Sequence, residues 1–342
     1  MKKRLLSVLN FTIFFLIGLF LLWLVFRKLD IRAVVLQIFD ANYWWVLLSF
    51  VFAIISHFAR ALRWNILINS MGYKTKAITT FYAVMVGYLA NMAIPRLGEV
   101  SRCGMLNKKD KIPINSLLGS VLAERMFDFI VLIILIFIVI IMQLELVGGF
   151  VNRLIFEPLF SNFSNNANAI LYFLGILVTI IILSFVIHQK YKLQLQKFAF
   201  YQKLKSFFSG FMDGMNTILK LKKRSLFLFY TFIIWFMYFL MTFIIFFTME
   251  ATSGLHIIDG VTILAIGSLG MVVPVPGGIG AYHFIVKALL FELYHVPNEI
   301  AASWATLIHT SQSFMMLVVG AFSYFMIISL KKKENNEQTE TA

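Results

Sequence analysis

Long apolar runs alternate with short polar connectors along the whole chain. Residues 5–26, 43–68, 116–142, 169–187, 225–249 and 300–330 are each apolar for long enough to cross a hydrocarbon core of about 30 Å as a helix. Residues 77–94 are shorter and stop at Pro95, and residues 257–271 and 284–294 are shorter still. The last two flank the stretch 272–283, Val-Val-Pro-Val-Pro-Gly-Gly-Ile-Gly-Ala-Tyr-His. Its prolines, Pro274 and Pro276, remove backbone donors, and Gly277, Gly278 and Gly280 permit dihedrals that a continuous helix does not use. In lipid, a backbone broken in this way is stable only where protein or a water-lined cavity covers its freed polar groups. A broken helix at membrane depth therefore marks a candidate site. The run Asn91-Met-Ala-Ile-Pro-Arg-Leu-Gly-Glu-Val-Ser-Arg repeats the device with charges added.

Charge changes the picture by fixing which ends lie inside. The basic start, the segment 190–224 (eight Lys and one Arg against Asp213) and Lys331, Lys332 and Lys333 all call for the cytoplasmic side. Residues 143–168, with Arg153 against Glu145 and Glu157, and the acidic turn near Glu250 and Asp259 call for the outside. To satisfy both sets, residues 77–111 enter and leave from the inside, and residues 257–298 enter and leave from the outside. Eight plain spans would instead place the most basic loop outside. The expected fold is an all-α polytopic integral membrane helical bundle with two opposed broken-helix (re-entrant) hairpins. Residues 1–330 form one transmembrane domain, and 331–342 a disordered cytoplasmic tail.

Composition agrees: 60% of the 342 residues are hydrophobic, 13% are charged, and the mean hydropathy is +0.86. The net charge of +14 then speaks to anionic headgroups rather than nucleic acid. Met1-Lys-Lys-Arg and residues 5–26 lack a small-residue cleavage site and read as a retained span. The single cysteine, Cys103, excludes an internal disulfide and a cysteine metal cluster, and the six scattered histidines lack metal-ligand spacing. No metal or cofactor is expected. No Ser-His-Asp arrangement, phosphate-binding P-loop or dinucleotide fingerprint is visible.

Arg96, Glu99 and Arg102, followed by Glu124, Arg125 and Asp128, form the strongest chemical signal. A charge at the bilayer centre is costly, so these residues should neutralise one another or line a polar path. The bland alternative anchors them at the headgroups. Arg60 and Arg63 share a helical face before Trp64, where a phosphate site and an interfacial anchor are equally good readings. His283, His309 and Gln312 read first as hydrogen-bonded structure.

These motifs in order, Arg60…Arg63-Trp64, Asn91…Pro95-Arg-Leu-Gly-Glu…Arg102, Glu124-Arg125…Asp128 and Pro274-Val-Pro-Gly-Gly-Ile-Gly, resemble the lysylphosphatidylglycerol synthase transmembrane-region family, also called flippase-like. The resemblance covers roughly residues 5–330. It implies a multi-pass inner-membrane protein of bacteria or archaea that moves a phospholipid or lipid-linked headgroup between leaflets. In the best-known multidomain members, a separate soluble domain performs aminoacyl transfer, and this chain shows no such domain. Membrane lipid, an anionic phospholipid or lipid-linked headgroup, is the implied partner; homo-oligomerisation is left open. Two alternatives also stay open: a membrane-embedded transferase acting on lipid-linked sugars with Glu99, Glu124 or Asp128 as base, and a non-catalytic partner of a lipid-modifying enzyme. Where many relatives carry Glu after the glycine run, this chain has His283, which implies a different headgroup preference.

Overall fold

The computed structural model describes the backbone of residues 2–143, 179 and 220–340, and the side chains of 12–143, 179 and 220–330. The expected loop 143–168, the span 169–187 and the basic segment 190–224 lie almost wholly outside these residues. The described secondary structure is entirely helical. In chain order the helices are α1 (Lys2–Phe26), α2 (Ile31–Phe39), α3 (Tyr43–Ser70), α4 (Ala77–Ala93), α5 (Leu97–Asp110) and α6 (Ile114–Met142). After the undescribed stretch come α7 (Arg224–Ile244), the single turn α8 (Glu250–Ser253), α9 (Ile257–Val272), α10 (Ala281–Glu292) and α11 (Asn298–Glu340).

By length and composition, α3, α6, Arg224–Thr248 and Asn298–Leu330 are spans. The chain is thus an all-α polytopic membrane bundle. The pair α1 and α2 adds a further candidate, bent by 92° between its halves. The bend is written locally: Asp30 caps α2 by accepting hydrogen bonds from the backbone N–H groups of Arg32 (2.8 Å) and Ala33 (3.3 Å). A connector was expected there, because nine residues are too few to show a persuasive period. At the other end, the backbone of α11 continues as helix into the polar tail, where no regular structure was expected.

The two breaker motifs fold as two helix–break–helix hairpins. With 17 and 16 residues, α4 and α9 reach about 25 Å, short of a full hydrocarbon core. In lipid, apolar contact gains little over acyl chains, so close backbone approach holds helices together. Gly98 supplies that approach between α4 and α5, since a Cβ there would collide with the Gly87 carbonyl and the Asn91 amide. Asn91 Oδ1 accepts the Gly98 N–H at 2.6 Å, tying the end of α4 to the start of α5. Gly280 opens α10 at φ 83°, against the backbone of Gly18 in α1.

Two of the three apolar clusters among the described residues are large. One gathers Trp64, Met85, Leu106, Leu117 and Phe227. The other gathers Phe246, Ile263, Val286, Leu290 and Trp304.

Candidate functional site

A cavity of about 560 Å³ opens between the two hairpin breaks. Asn91, Pro95, Arg96 and Glu99 line it from the first hairpin, and Pro274, Gly277, Gly278 and Tyr282 from the second. The backbones nearly touch: a Cβ added to Gly277 would lie 3.9 Å from Met92 Cα. α3 contributes His57 and Arg60, α6 Arg125 and Asp128, α7 Trp235 and Tyr238, and α11 His309 and Gln312.

Behind this wall lies a buried ionic network centred on α3 and α6. Its backbone logic is simple. Arg60 and Arg63 are one turn apart on α3, and Glu124 and Asp128 are one turn apart on α6, so two facing stripes of opposite sign meet. Arg60 Nη1 donates to Glu124 Oε1 at 2.6 Å and to Asp128 Oδ2 at 3.1 Å. Arg63 grips Asp128 with both terminal nitrogens, at 2.7 and 3.0 Å, which is the strong forked geometry. Arg102 from α5 reaches Glu124 Oε2 at 3.3 Å, and its guanidinium lies 4.5 Å from the Trp64 ring centre. Thr231 accepts from Arg63 and Tyr238 from Arg60, so α7 closes the network. Arg63 and Glu124 are fully buried.

The structure therefore distributes the expected cluster differently. Arg102, Glu124 and Asp128 are joined by Arg60 and Arg63, which sequence pattern ranked lower. Glu99 and Arg125 form a separate, half-buried pair at 3.5 Å. Arg96 stands apart: exposed, without an ion pair among the described residues, and held at φ 65° on the cavity wall. Asn91 both lines the cavity and ties the first hairpin. Pro276 is buried in the second break. Gly280 packs against α1 instead of the cavity. His283 is buried beside His309, their ring centres 4.6 Å apart, and His309 Nε2–H donates to the Gly277 carbonyl at 2.8 Å. That bond satisfies one acceptor freed by the helix break.

His57, Tyr88, Trp235 and Tyr238 were not anticipated. A signal existed for His57, which precedes Arg60 and Arg63 at three-residue intervals on one face. None existed for Trp235 and Tyr238, which are two aromatics among many on an aromatic-rich helix.

The five arginines of this region (Arg60, Arg63, Arg96, Arg102 and Arg125) outnumber its three carboxylates (Glu99, Glu124 and Asp128) by two, so the region carries a charge of +2. Donor groups are also left over. Arg60 Nε, Arg125 Nε and Trp235 Nε1 are buried without partners. The arrangement suits an anion with several acceptor oxygens.

Compared with known proteins, residues 10–320 match the family described as "Lysylphosphatidylglycerol synthase TM region". A UPF0104 membrane protein of Methanocaldococcus jannaschii is 24% identical over 120 residues, which is 34% of this chain and 36% of that protein. The match thus spans about a third of that relative's length. No solved structure matches the chain.

Proposed function

Because this chain belongs to the lysylphosphatidylglycerol synthase transmembrane-region family, we propose that it carries the phosphate-bearing headgroup of an anionic membrane lipid across the bilayer, in the inner membrane. One observation carries the reading: two helix breaks converge on a cavity whose wall holds more arginines than carboxylates. A phosphate entering it exchanges water for charge-assisted hydrogen bonds from Arg60, Arg96 and Arg125. The acyl chains stay in the hydrocarbon, and the headgroup crosses shielded by the cavity. When no lipid is bound, Glu124 and Asp128 offset part of the charge of Arg60, Arg63 and Arg102, and so lower the cost of burying it.

A transferase on lipid-linked sugars would need a carboxylate base at the cavity. Both oxygens of Asp128 accept hydrogen bonds from Arg60 and Arg63, which leaves neither open to take a substrate proton. Glu99 keeps one oxygen without a partner, so the transferase reading rests on Glu99 alone. The two readings separate in proteoliposomes loaded with fluorescent phosphatidylglycerol and challenged with a membrane-impermeant quencher. Translocation predicts that the protected fraction disappears while the lipid's mass stays unchanged, and that Arg60→Gln slows this at least tenfold. A new lipid species would establish transfer instead. Neither outcome, with intact folded protein, would leave the role of a non-catalytic partner.

A further inference from the structure

Beyond the arginines, the same cavity holds buried polar side chains that bear no formal charge and keep atoms without a partner. His57 is 3% exposed and lines the cavity. Its ring packs on Tyr88, with centres 4.7 Å apart, and neither ring nitrogen has a hydrogen-bond partner. Gln312 is 8% exposed and also lines the cavity. Its orientation follows from its neighbour. Ser49 Oγ donates its only hydrogen to the Val46 carbonyl at 2.6 Å, so it must accept from Gln312 Nε2 at 2.9 Å. The amide oxygen, Oε1, is left without a partner. A buried acceptor in that condition costs stability unless something donates to it.

α3 gives both groups a position relative to Arg60, His57 directly and Gln312, of α11, through its bond to Ser49. His57 precedes Arg60 by one turn, about 4.5 Å of rise, and Ser49, which holds Gln312, lies about 12 Å before His57. We infer that His57 and Gln312 form a second, uncharged seat for headgroup hydroxyls, and that the lipid handled is a phosphodiester with a neutral hydroxylated headgroup. This rests on the lipid-translocation reading and deepens it. A neutral imidazole offers one N–H and one lone pair, and a hydroxyl matches both because it donates and accepts. An ammonium only donates, so it would leave the N–H unmatched. The charge balance points the same way. Asp128 is held by Arg60 and Arg63, Glu99 is held through Oε1 by Arg125, and the region as a whole is cationic. The one open carboxylate oxygen among these, Glu99 Oε2, lies in a residue already paired with an arginine.

The test is lipid retention by the full chain in detergent, read by native mass spectrometry with competing lipids at equal concentration. The lipids are phosphatidylglycerol, phosphatidylinositol, lysyl-phosphatidylglycerol, phosphatidylcholine and phosphatidic acid. Phosphatidylglycerol or phosphatidylinositol should be retained at least fivefold over the lysyl and choline lipids. Preference between these two then tells a headgroup that stops at His57 from one that extends to Gln312. His57→Phe, which keeps the stacking on Tyr88, should lower retention of the preferred lipid about five- to tenfold, and Gln312→Leu should do the same for phosphatidylinositol, the headgroup long enough to reach it. Retention of phosphatidic acid, which has the phosphate but no headgroup alcohol, should stay unchanged, and that control also reports an intact fold. Best retention of the lysyl lipid, abolished by Glu99→Gln, would overturn the inference. An equal loss of phosphatidic acid in both variants would overturn it too. Retention is measured without transport, so a chain that holds phosphatidylglycerol but fails to move it refutes translocation while leaving the seat in place. One that moves lysyl-phosphatidylglycerol does the reverse.

Discussion

The two hairpins solve the same backbone problem with opposite materials. In the first, α4 and α5, the turn is made by Arg96 at φ 65°, a left-handed conformation that L side chains adopt at a cost of about 1–2 kcal/mol. In the second, α9 and α10, the turn is made by Gly277, Gly278 and Gly280 at φ 58°, 76° and 83°, where the cost is small. The first hairpin brings Glu99 and Arg102 toward the arginines and carboxylates of α3 and α6. The second brings backbone carbonyls, one histidine (His283, beside His309 of α11) and no paired charge among the described residues. One arm is therefore built around side-chain electrostatics and the other around backbone geometry. The cavity lies where the two meet, and it inherits charge from only one side.

The comparison breaks most severely if the charged arm loses its hub. Glu124 is the only carboxylate that Arg102 reaches among the described residues, and it also contacts Arg60 and Arg63. Glu124→Ala leaves buried guanidinium groups uncompensated and should cost about 3–5 kcal/mol. Thermal unfolding in detergent should show a large drop in midpoint. Glu124→Gln keeps the shape and isolates the charge. If Glu124→Gln unfolds at the wild-type temperature, the network is not held by charge. No single polar residue of the glycine arm should have a comparable effect.

Next come the glycines, where the arms can be compared directly. A Cβ at Gly98 meets the Gly87 carbonyl and the Asn91 amide, so Gly98→Ala must push α4 and α5 apart at about 1–3 kcal/mol. Gly280→Ala adds a backbone penalty to a similar clash with Gly18 and Leu21. It should cost about 1–2 kcal/mol more than Gly98→Ala. Parallel melting curves of the two variants check this order. Equal losses would mean that the second arm relaxes its backbone freely and that its glycines serve only close packing.

Sequence pattern carried the architecture further than it carried the site. Span lengths and breaker positions were readable because lipid demands long apolar runs and punishes unpaired backbone. The identities of most charged residues were readable for the same reason. What was hidden is which helices face each other. Arg60 and Arg63 read equally well as span-end anchors or as a phosphate site, but α6 meets α3 along the stripe that holds them, and this makes them the centre of an ionic network. Arg96 looked like a member of the cluster, yet the turn it builds keeps its side chain out of it. His57 carried only its spacing from Arg60 and Arg63, and Gln312 read as hydrogen-bonded structure, so neither was marked as a group facing a cavity. Their unpartnered atoms become visible only once helix packing has closed around them.

The smallest expected effect on stability is also the most informative about purpose. Arg96 occupies a backbone conformation that glycine adopts freely, as Gly277 does at the equivalent point of the other arm. With no ion pair among the described residues and an exposed side chain, Arg96 returns little of that cost to the fold. Arg96→Gly should therefore leave stability unchanged or raise it by up to about 1 kcal/mol. In proteoliposomes the same variant should slow phosphatidylglycerol movement several-fold, since one of the three cavity-lining arginines is removed. Arg96→Lys keeps the charge but not the planar fork, so it separates attraction from geometry: recovery of the rate in Arg96→Lys assigns the role to charge alone. Should Arg96→Gly move lipid at the wild-type rate, the strained turn would have no functional counterpart, and the electrostatic arm would owe its character to α3 and α6 without help from the break itself.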